Sequence, residues 1–388
     1  MGLCLSSFYR TQLLDDVIPF WQRHSLDERC GGYLTCLDRQ GVPFNDDKGI
    51  WLQARQVWMF SKLYNTLEQR PEWLNVARLG YRFLRDHGFS AEGRAYFAVT
   101  RDGRPLRLRR YLFSEAFCVI ACAEYARASG DAQALALAKR TFELVWRLYQ
   151  TPDALPPKVI PSTRRTKALA MPMILLATAQ ELRLCGDGHP LYAAVVAHSL
   201  GEIRGQFLKR EERALHEVVG PRGERLDSPE GRCLNPGHAI EASWFMLHEA
   251  QQCHDETLAR DALDILDWSL ERGWDPAYDG LLAFVDIEGR PPEPLEWDMK
   301  LWWPHNEALI ATLMACLYTG QQRYLDWHER IRAYAFSHFA DPKFGEWFGY
   351  LHRDGSLANE LKGSLWKGAF HVPRALWRCW QLASAAGL

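Results

Sequence analysis

Apolar residues recur at helical spacings of three and four positions in twelve stretches of the chain, each bounded by turn or capping residues. The spacing predicts helices at about 8–23, 47–67, 71–87, 112–129, 131–150, 166–185, 190–208, 237–254, 256–273, 300–319, 321–339 and 369–386. Five other segments show a few alternating or aromatic apolar residues, then polar residues, then a glycine. Each reads as a short strand running into a turn. Their closing glycines are Gly41, Gly103, Gly223, Gly289 and Gly355, at spacings of 62, 120, 66 and 66 residues. The interval of 120 is two periods, with one member missing near Pro161 to Arg165. The chain is therefore six units of roughly 60 to 66 residues.

The gaps between helices alternate. Very short gaps follow the even-numbered helices, and long gaps, mostly carrying the strand-like segments, follow the odd-numbered ones. Short gaps tie antiparallel neighbours. Six helical hairpins, none able to bury both faces alone, stack on one another. Neither end offers a polar capping repeat, so the natural solution is a closed ring: an all-α (α/α)6 barrel, one catalytic domain spanning 1–388. The even-numbered helices are the more uniformly apolar, as in Ala168-Leu169-Ala170-Met171-Pro172-Met173-Ile174-Leu175-Leu176-Ala177, and belong on the inside. All six inner N-termini then point to one end of the barrel, beneath the long loops.

Length alone, at 388 residues, suggests two or three domains; the period replaces that with one ring. Composition narrows the function. With 47% hydrophobic and 24% charged residues the chain is an ordinary globular one, and a net charge of −2 leaves no basic stripe for nucleic acid. No apolar run reaches the roughly 18 residues of a membrane helix. Ten cysteines form no CxxC pair, and several lie in apolar helical stretches, as reduced core thiols do; the expected compartment is the cytoplasm. Met1-Gly2-Leu3-Cys4-Leu5-Ser6 matches a myristoylation pattern, but so short a match arises often by accident, and we read a helix start. Sixteen Trp are many; a large flat face suits a big core or a sugar ring.

The first turns of the inner helices are unexpectedly polar. They carry Trp51, Gln53 and Arg55; Ser114 and Glu115; Lys167; His238, Glu241 and Trp244; Lys300, Trp302, Trp303, His305 and Glu307; and Trp366, Lys367, His371 and Arg374. His238 and Glu241 share a helix face, as do His371 and Arg374. Buried charges need partners, so their convergence predicts a polar pocket walled by Trp, suited to a small hydroxyl-rich ligand. Acidic residues in a first turn are explained by the helix dipole alone; Arg55 and Arg374 are not. His198, His248, His254 and His328 lie on outer or distal stretches and are read as satisfied core or surface residues.

Several stretches resemble the N-acylglucosamine 2-epimerases, the family that includes the animal renin-binding protein. They are Trp51-Leu52-Gln53-Ala54-Arg55-Gln56-Val57-Trp58, Phe113-Ser114-Glu115, Asn235-Pro236-Gly237-His238-Ala239-Ile240-Glu241-Ala242, Leu295-Glu296-Trp297-Asp298-Met299-Lys300-Leu301-Trp302-Trp303-Pro304-His305, Asp341-Pro342-Lys343-Phe344-Gly345-Glu346-Trp347-Phe348-Gly349-Tyr350 and Lys367-Gly368-Ala369-Phe370-His371-Val372-Pro373-Arg374. The resemblance implies an (α/α)6 barrel and interconversion of N-acetylglucosamine and N-acetylmannosamine. It implies His238 and His371 as the acid/base pair, with substrate contacts or orientation from Arg55, Glu241, Trp244, Trp303, Glu307 and Arg374. It implies a homodimer, and ATP as an activator that is not consumed. The stretch matching the nucleotide loop, Leu155-Pro156-Pro157-Lys158-Val159-Ile160-Pro161-Ser162-Thr163-Arg164, lacks the glycine expected before Lys158, which argues against ATP dependence.

Inverting C2 of an open-chain sugar needs two bases on opposite faces, and histidine titrates near 7 without tuning. Arg55 and Arg374 are the candidates to meet the enediolate oxygen. The chemistry calls for no metal, and no metal-ligand spacing is present; His248-Glu249 lacks the second His of a zincin. Three rivals stand beside this reading. An aldose–ketose isomerase or cellobiose 2-epimerase would use the same groups. A glycoside hydrolase would use two carboxylates among Glu115, Glu241 and Glu307. A non-enzymatic binding protein would not need two placed bases.

Overall fold

The computed structural model describes residues 4–157, 159–160 and 162–388. The acylation pattern at residues 1–3, and Lys158 and Pro161 of the loop compared with a nucleotide site, lie outside the described residues.

Among the described residues, twelve long helices follow the predicted positions. α1 runs through Leu5–Thr11, a π-helical stretch Gln12–Val17 and Ile18–His24. Then come α2 (Ile50–Thr66), α3 (Pro71–His87), α4 (Phe113–Ser129), α5 (Ala132–Gln150) and α6 (Ala170–Arg183). α7 is Pro190–Glu202 with a π-helical end, Ile203–Phe207. α8 (Pro236–Cys253), α9 (Glu256–Gly273), α10 (Trp302–Thr319), α11 (Gln322–His338) and α12 (His371–Ala386) complete the ring. The π-helical turns in α1 and α7 left no trace in the apolar spacing. Even-numbered helices are inside. α10 buries nearly every residue from Trp302 to Ala315, whereas outer α5 and α9 bury one stripe each and are capped by Asp131 and Asp255.

The strand-like segments turn out to be the stitching between units. A two-residue strand entering an inner helix pairs antiparallel with the loop of the next unit. Lys48–Gly49 pairs with Ala98–Val99, Lys167–Ala168 with Val218–Val219, Cys233–Leu234 with Val285–Asp286, and Lys300–Leu301 with Tyr350–Leu351. The ring closes in the same way: Leu37 exchanges backbone hydrogen bonds with Lys362 and Gly363. All five closing glycines have positive φ, between +77° and +92°. At Gly41, Gly103 and Gly355 an added Cβ would meet the ring of His24, His87 or His338, the last residue of the preceding outer helix. Only glycine both adopts that conformation and leaves room for that ring.

Three consecutive junctions carry the same buried clamp. A lysine on the segment that leads to an inner helix reaches an aspartate after an outer helix, and an arginine from a neighbouring unit's turn meets the same carboxylate. The sets are Lys48–Asp27–Arg101, Lys300–Asp275–Arg353 and Lys362–Asp341–Arg39. The lysine and aspartate side chains are fully buried. Burial alone would raise these carboxylates, but the hydrogen bonds from arginine and lysine carry Asp27 and Asp341 well below the usual range and Asp275 to about 2. Burial meanwhile lowers the lysines, Lys362 to about 8.

Removing one partner of such a set strands a buried charge. Asp341→Ala is expected to cost about 3–5 kcal/mol by equilibrium urea unfolding. Glu360→Ala, which removes the exposed partner of Arg39, should cost less than about 1 kcal/mol. Equal losses would show that the clamp does not hold the ring. Because the aspartates are held below their unfolded pKa of about 3.9, their contribution is complete above that pH. It is lost as the pH falls towards their folded values.

Candidate active site

The inner helix N-termini meet around a cavity of about 720 Å³ that runs down the barrel axis. On α2 its wall passes from Trp51 through Arg55 and Trp58 to Lys62, a depth of about 16 Å at about 1.5 Å per residue. At the mouth stand Phe97, Tyr111, Phe113 and Trp366, the last 49% exposed.

His238 occupies the third position of α8. Asn235 caps the helix by accepting from the His238 backbone N–H, and Pro236 fixes the first turn. The His238 Nδ1 lies 2.9 Å from Glu217 Oε2. A carboxylate only accepts, so Nδ1 carries the proton and Nε2 is left for the cavity. His371 opens α12, with its Nδ1 2.7 Å from Glu307 Oε1, and the same reasoning frees its Nε2. Trp303 packs against both imidazoles, at centroid distances of 5.1 Å and 5.9 Å.

The two histidines are driven apart. Burial pulls His371 well below its ordinary value, and the charges of Arg55 and Arg374 add to this. Burial also acts to lower His238, but the charge and hydrogen bond of Glu217, with Glu241 and Glu307 further off, outweigh it and leave His238 raised. The pair is thus driven in opposite directions, His371 towards the neutral base and His238 towards the imidazolium, the separation expected of an acid and a base sharing a site.

Glu307 is fully buried and accepts from His371, from Arg374 at 2.6 Å and from the Trp244 indole at 2.9 Å. Arg374 also bridges to Glu241 at 2.7 Å. Arg55 differs. Its guanidinium lies 4.3 Å from the Trp51 ring centroid, 4.1 Å from Phe117 and 4.7 Å from Phe370. The Nε of Arg55 and the indole nitrogen of Trp51 are buried without a partner among the described residues. Burial and the Arg374 charge bring Arg55 down to about 9, which keeps it a cation at neutral pH. It is a charge held by aromatic faces and open to a ligand oxygen.

The eight residues singled out from the sequence, His238, His371, Arg55, Glu241, Trp244, Trp303, Glu307 and Arg374, are all brought together here. Other first-turn polar groups are not. Glu115 turns away to Arg94 and the Ala95 backbone N–H. Lys167 reaches Glu202 and Gln206, Lys367 reaches Glu346, and Gln53 pairs with the backbone of Tyr33. These groups hold loops to the barrel, so the polar ring is smaller than the sequence suggested. His248, read as distal, does line the deep end of the cavity. Glu217, Phe117 and Phe370 were missed. Glu217 lies in a loop 21 residues before His238, and only the pairing of Lys167–Ala168 with Val218–Val219 brings it in. Glu241, Glu307 and His371 offer ligand atoms within 4.8 Å of one another, the donor set of a cation. Arg374 already fills that role by bridging both carboxylates.

The family model for N-acylglucosamine 2-epimerase (GlcNAc 2-epimerase) matches residues 32–372. The chain is 41% identical to the N-acylglucosamine 2-epimerase of Bos taurus over 94% of its length and 88% of the relative's. It is 26% identical to the cellobiose 2-epimerase of Ruminococcus albus, covering 94% and 95% of the two chains. The solved structure of cellobiose 2-epimerase from Bacillus thermoamylovorans B4167 superposes with a TM-score of 0.86 at 21% identity, covering 98% and 99%. This likeness places the fold among (α/α)6 barrels.

Glu217→Gln removes the charge that raises His238 and keeps the shape. The His238 ring should titrate at lower pH in this variant, followed by its imidazole proton resonances, and the shift of His238 should exceed any at His371, which feels Glu217 only through the His238 charge. An unchanged His238 titration would mean that Glu217 does not set its charge.

Proposed function

The chain belongs to the N-acylglucosamine 2-epimerase family and is a sugar epimerase; from that premise we propose that it interconverts N-acetylglucosamine and N-acetylmannosamine by two-base proton transfer at C2. The observation that carries this reading is the pair of histidines on one cavity, with free Nε2 atoms and proton affinities shifted in opposite directions.

In this mechanism the open-chain sugar sits with C2 between the imidazoles. Neutral His371 takes the C2 proton, and the electron pair moves through C1=C2 onto the C1 oxygen. Arg55 and Arg374 face that oxygen and stabilise the charge as it forms. The His238 imidazolium returns a proton to the other face of C2, the C1 carbonyl reforms, and the configuration is inverted. His371 leaves the step protonated and His238 neutral; exchange with water resets them. Glu307 and Glu217 hold the Nδ1–H of each ring and so aim each Nε2. Glu241 keeps Arg374 in place. A hydrolase reading would need two carboxylates free to act, but Glu241 and Glu307 are engaged by Arg374, and Glu115 faces elsewhere. Ten free thiols suit a reducing compartment, and we place the protein in the cytoplasm.

In deuterium oxide every product molecule is expected to carry deuterium at C2. His371→Asn or His238→Asn should lower kcat by about 10²–10⁴-fold. With one base left, one epimer should still exchange its C2 hydrogen without inverting. Epimerase activity within tenfold of wild type in both variants would sink the two-base scheme. The kcat/KM profile should keep full value well below pH 6.5, because His371 stays neutral there. It should fall on the alkaline side as His238 loses its proton above 6.5.

A further inference from the structure

The histidine pair uses only the upper part of the cavity. On α6 the wall continues from Ala170 to Leu184, just past the helix end, about 21 Å at about 1.5 Å per residue. Each of four inner helices carries a second polar group into this lower part. α2 passes from Arg55 over Trp58 to Lys62, and α8 from Glu241 over Phe245 to His248. α12 passes from Arg374 to Arg378, and the apolar strip of α6, Met173 to Ala177, ends at Glu181. On α2 and α8 seven residues separate the two polar levels, about 10 Å along the axis. Leu184 lines the lower level and is 44% exposed, so this level opens at the end of the barrel away from the mouth.

The charges of the lower level do not balance. Lys62 lies 2.9 Å from Glu124 and 2.9 Å from Glu181, and the Trp58 indole also donates to Glu181. Arg127 engages Glu124, and Arg183 engages Glu249. Three carboxylates thus have three cations in contact. Arg378 is left over: it has no hydrogen-bond or ion-pair partner among the described residues, and Glu181 acts on it only at a distance. Burial lowers its pKa, as it does for a guanidinium that has lost water without gaining a carboxylate. His248 does not compete for an anion as a cation would. Burial, with the charges of Arg378 and Arg183, outweighs Glu181 and Glu249 and brings it down to about 4, so it is neutral.

We propose that the lower level is a second ligand site, apart from the reaction centre, that takes a short-chain organic carboxylate, with the carboxylate on the Arg378 guanidinium and the chain along Ala177, Phe245 and Trp377. One unpaired guanidinium matches one negative charge, in the planar, two-bond geometry that arginine offers a carboxylate. The neighbouring Glu181 disfavours a dianion such as phosphate. The apolar and aromatic wall beside Arg378 matches an alkyl chain. This site goes beyond the epimerase reading and does not rest on it.

Calorimetry on the full-length protein, in a buffer free of carboxylates, tests it with acetate, propanoate and butanoate, with butanamide as the neutral counterpart and inorganic phosphate as the dianion. Affinity should rise about fourfold per methylene along the carboxylate series. Butanamide and phosphate should each bind at least about tenfold more weakly than butanoate. Arg378→Gln should weaken butanoate at least about tenfold, whereas Arg55→Gln should change it less than about twofold. Saturating butanoate should also raise the pH at which the His248 imidazole resonances titrate, because it sets a negative charge beside that ring. The wild-type measurements decide the matter if a variant fails to fold. No butanoate binding, butanamide or phosphate binding as well as butanoate, or an unmoved His248 titration would overturn the proposal. So would a loss in Arg55→Gln with Arg378→Gln unchanged, which would place the anion at the reaction centre.

Discussion

The carboxylate of Glu307 ties three elements of the site together. It is fully buried on α10 and takes its donors from the helices on both sides, Trp244 of α8 and His371 and Arg374 of α12. A charge in that position has no water to fall back on, so each donor is held firmly. One contact thus sets the tautomer of His371, the orientation of Arg374 and the spacing of three neighbouring helices. The six inner helices also aim the positive ends of their dipoles at this end of the barrel. Glu217, Glu241 and Glu307 compensate that field, and Arg55 is held by aromatic faces, with no carboxylate in contact among the described residues.

The ring was legible in the sequence because its signals are local and repeated. The glycine period, the alternating gap lengths and the apolar inner helices each depend on residues close in the chain. His238 and His371 were legible for a similar reason: both sit at helix starts, where position along the axis follows from the helix boundary. Direction around the helix was harder to read. Glu115 and Lys167 also lie at inner helix starts, yet turn to Arg94 and to Glu202 with Gln206. Periodicity places a residue at a level of the barrel, but which way a border residue turns is decided by partners far off in sequence. Glu217 shows the converse. Nothing near it marks a site, and a strand pairing of two residues from another unit delivers it to His238.

The lysines on the segments that lead to the inner helices carry the same lesson in a different form. Lys48, Lys300 and Lys362 look alike only once each is seen reaching an aspartate and sharing it with an arginine from the next unit. The sequence holds all nine residues of these clamps at consistent places in the repeat. Their meaning needs the ring, because the third set joins the last unit to the first through Arg39 and Asp341, 302 residues apart.

The clamps are not spread evenly, and their distribution parallels the division of labour at the mouth. The three clamped junctions are consecutive and tie the fifth, sixth, first and second units. Those units supply Trp303, Glu307, His371, Arg374 and Arg55, one base of the pair and the charges around it. The third and fourth units lie outside the clamped run. The third brings the apolar strip of α6, and the fourth brings His238, which Glu217 and the Asn235 cap position locally instead. A proton transfer needs its reacting atoms held. The fold holds His371 on units joined by buried ion pairs and His238 through a carboxylate and a helix cap of its own.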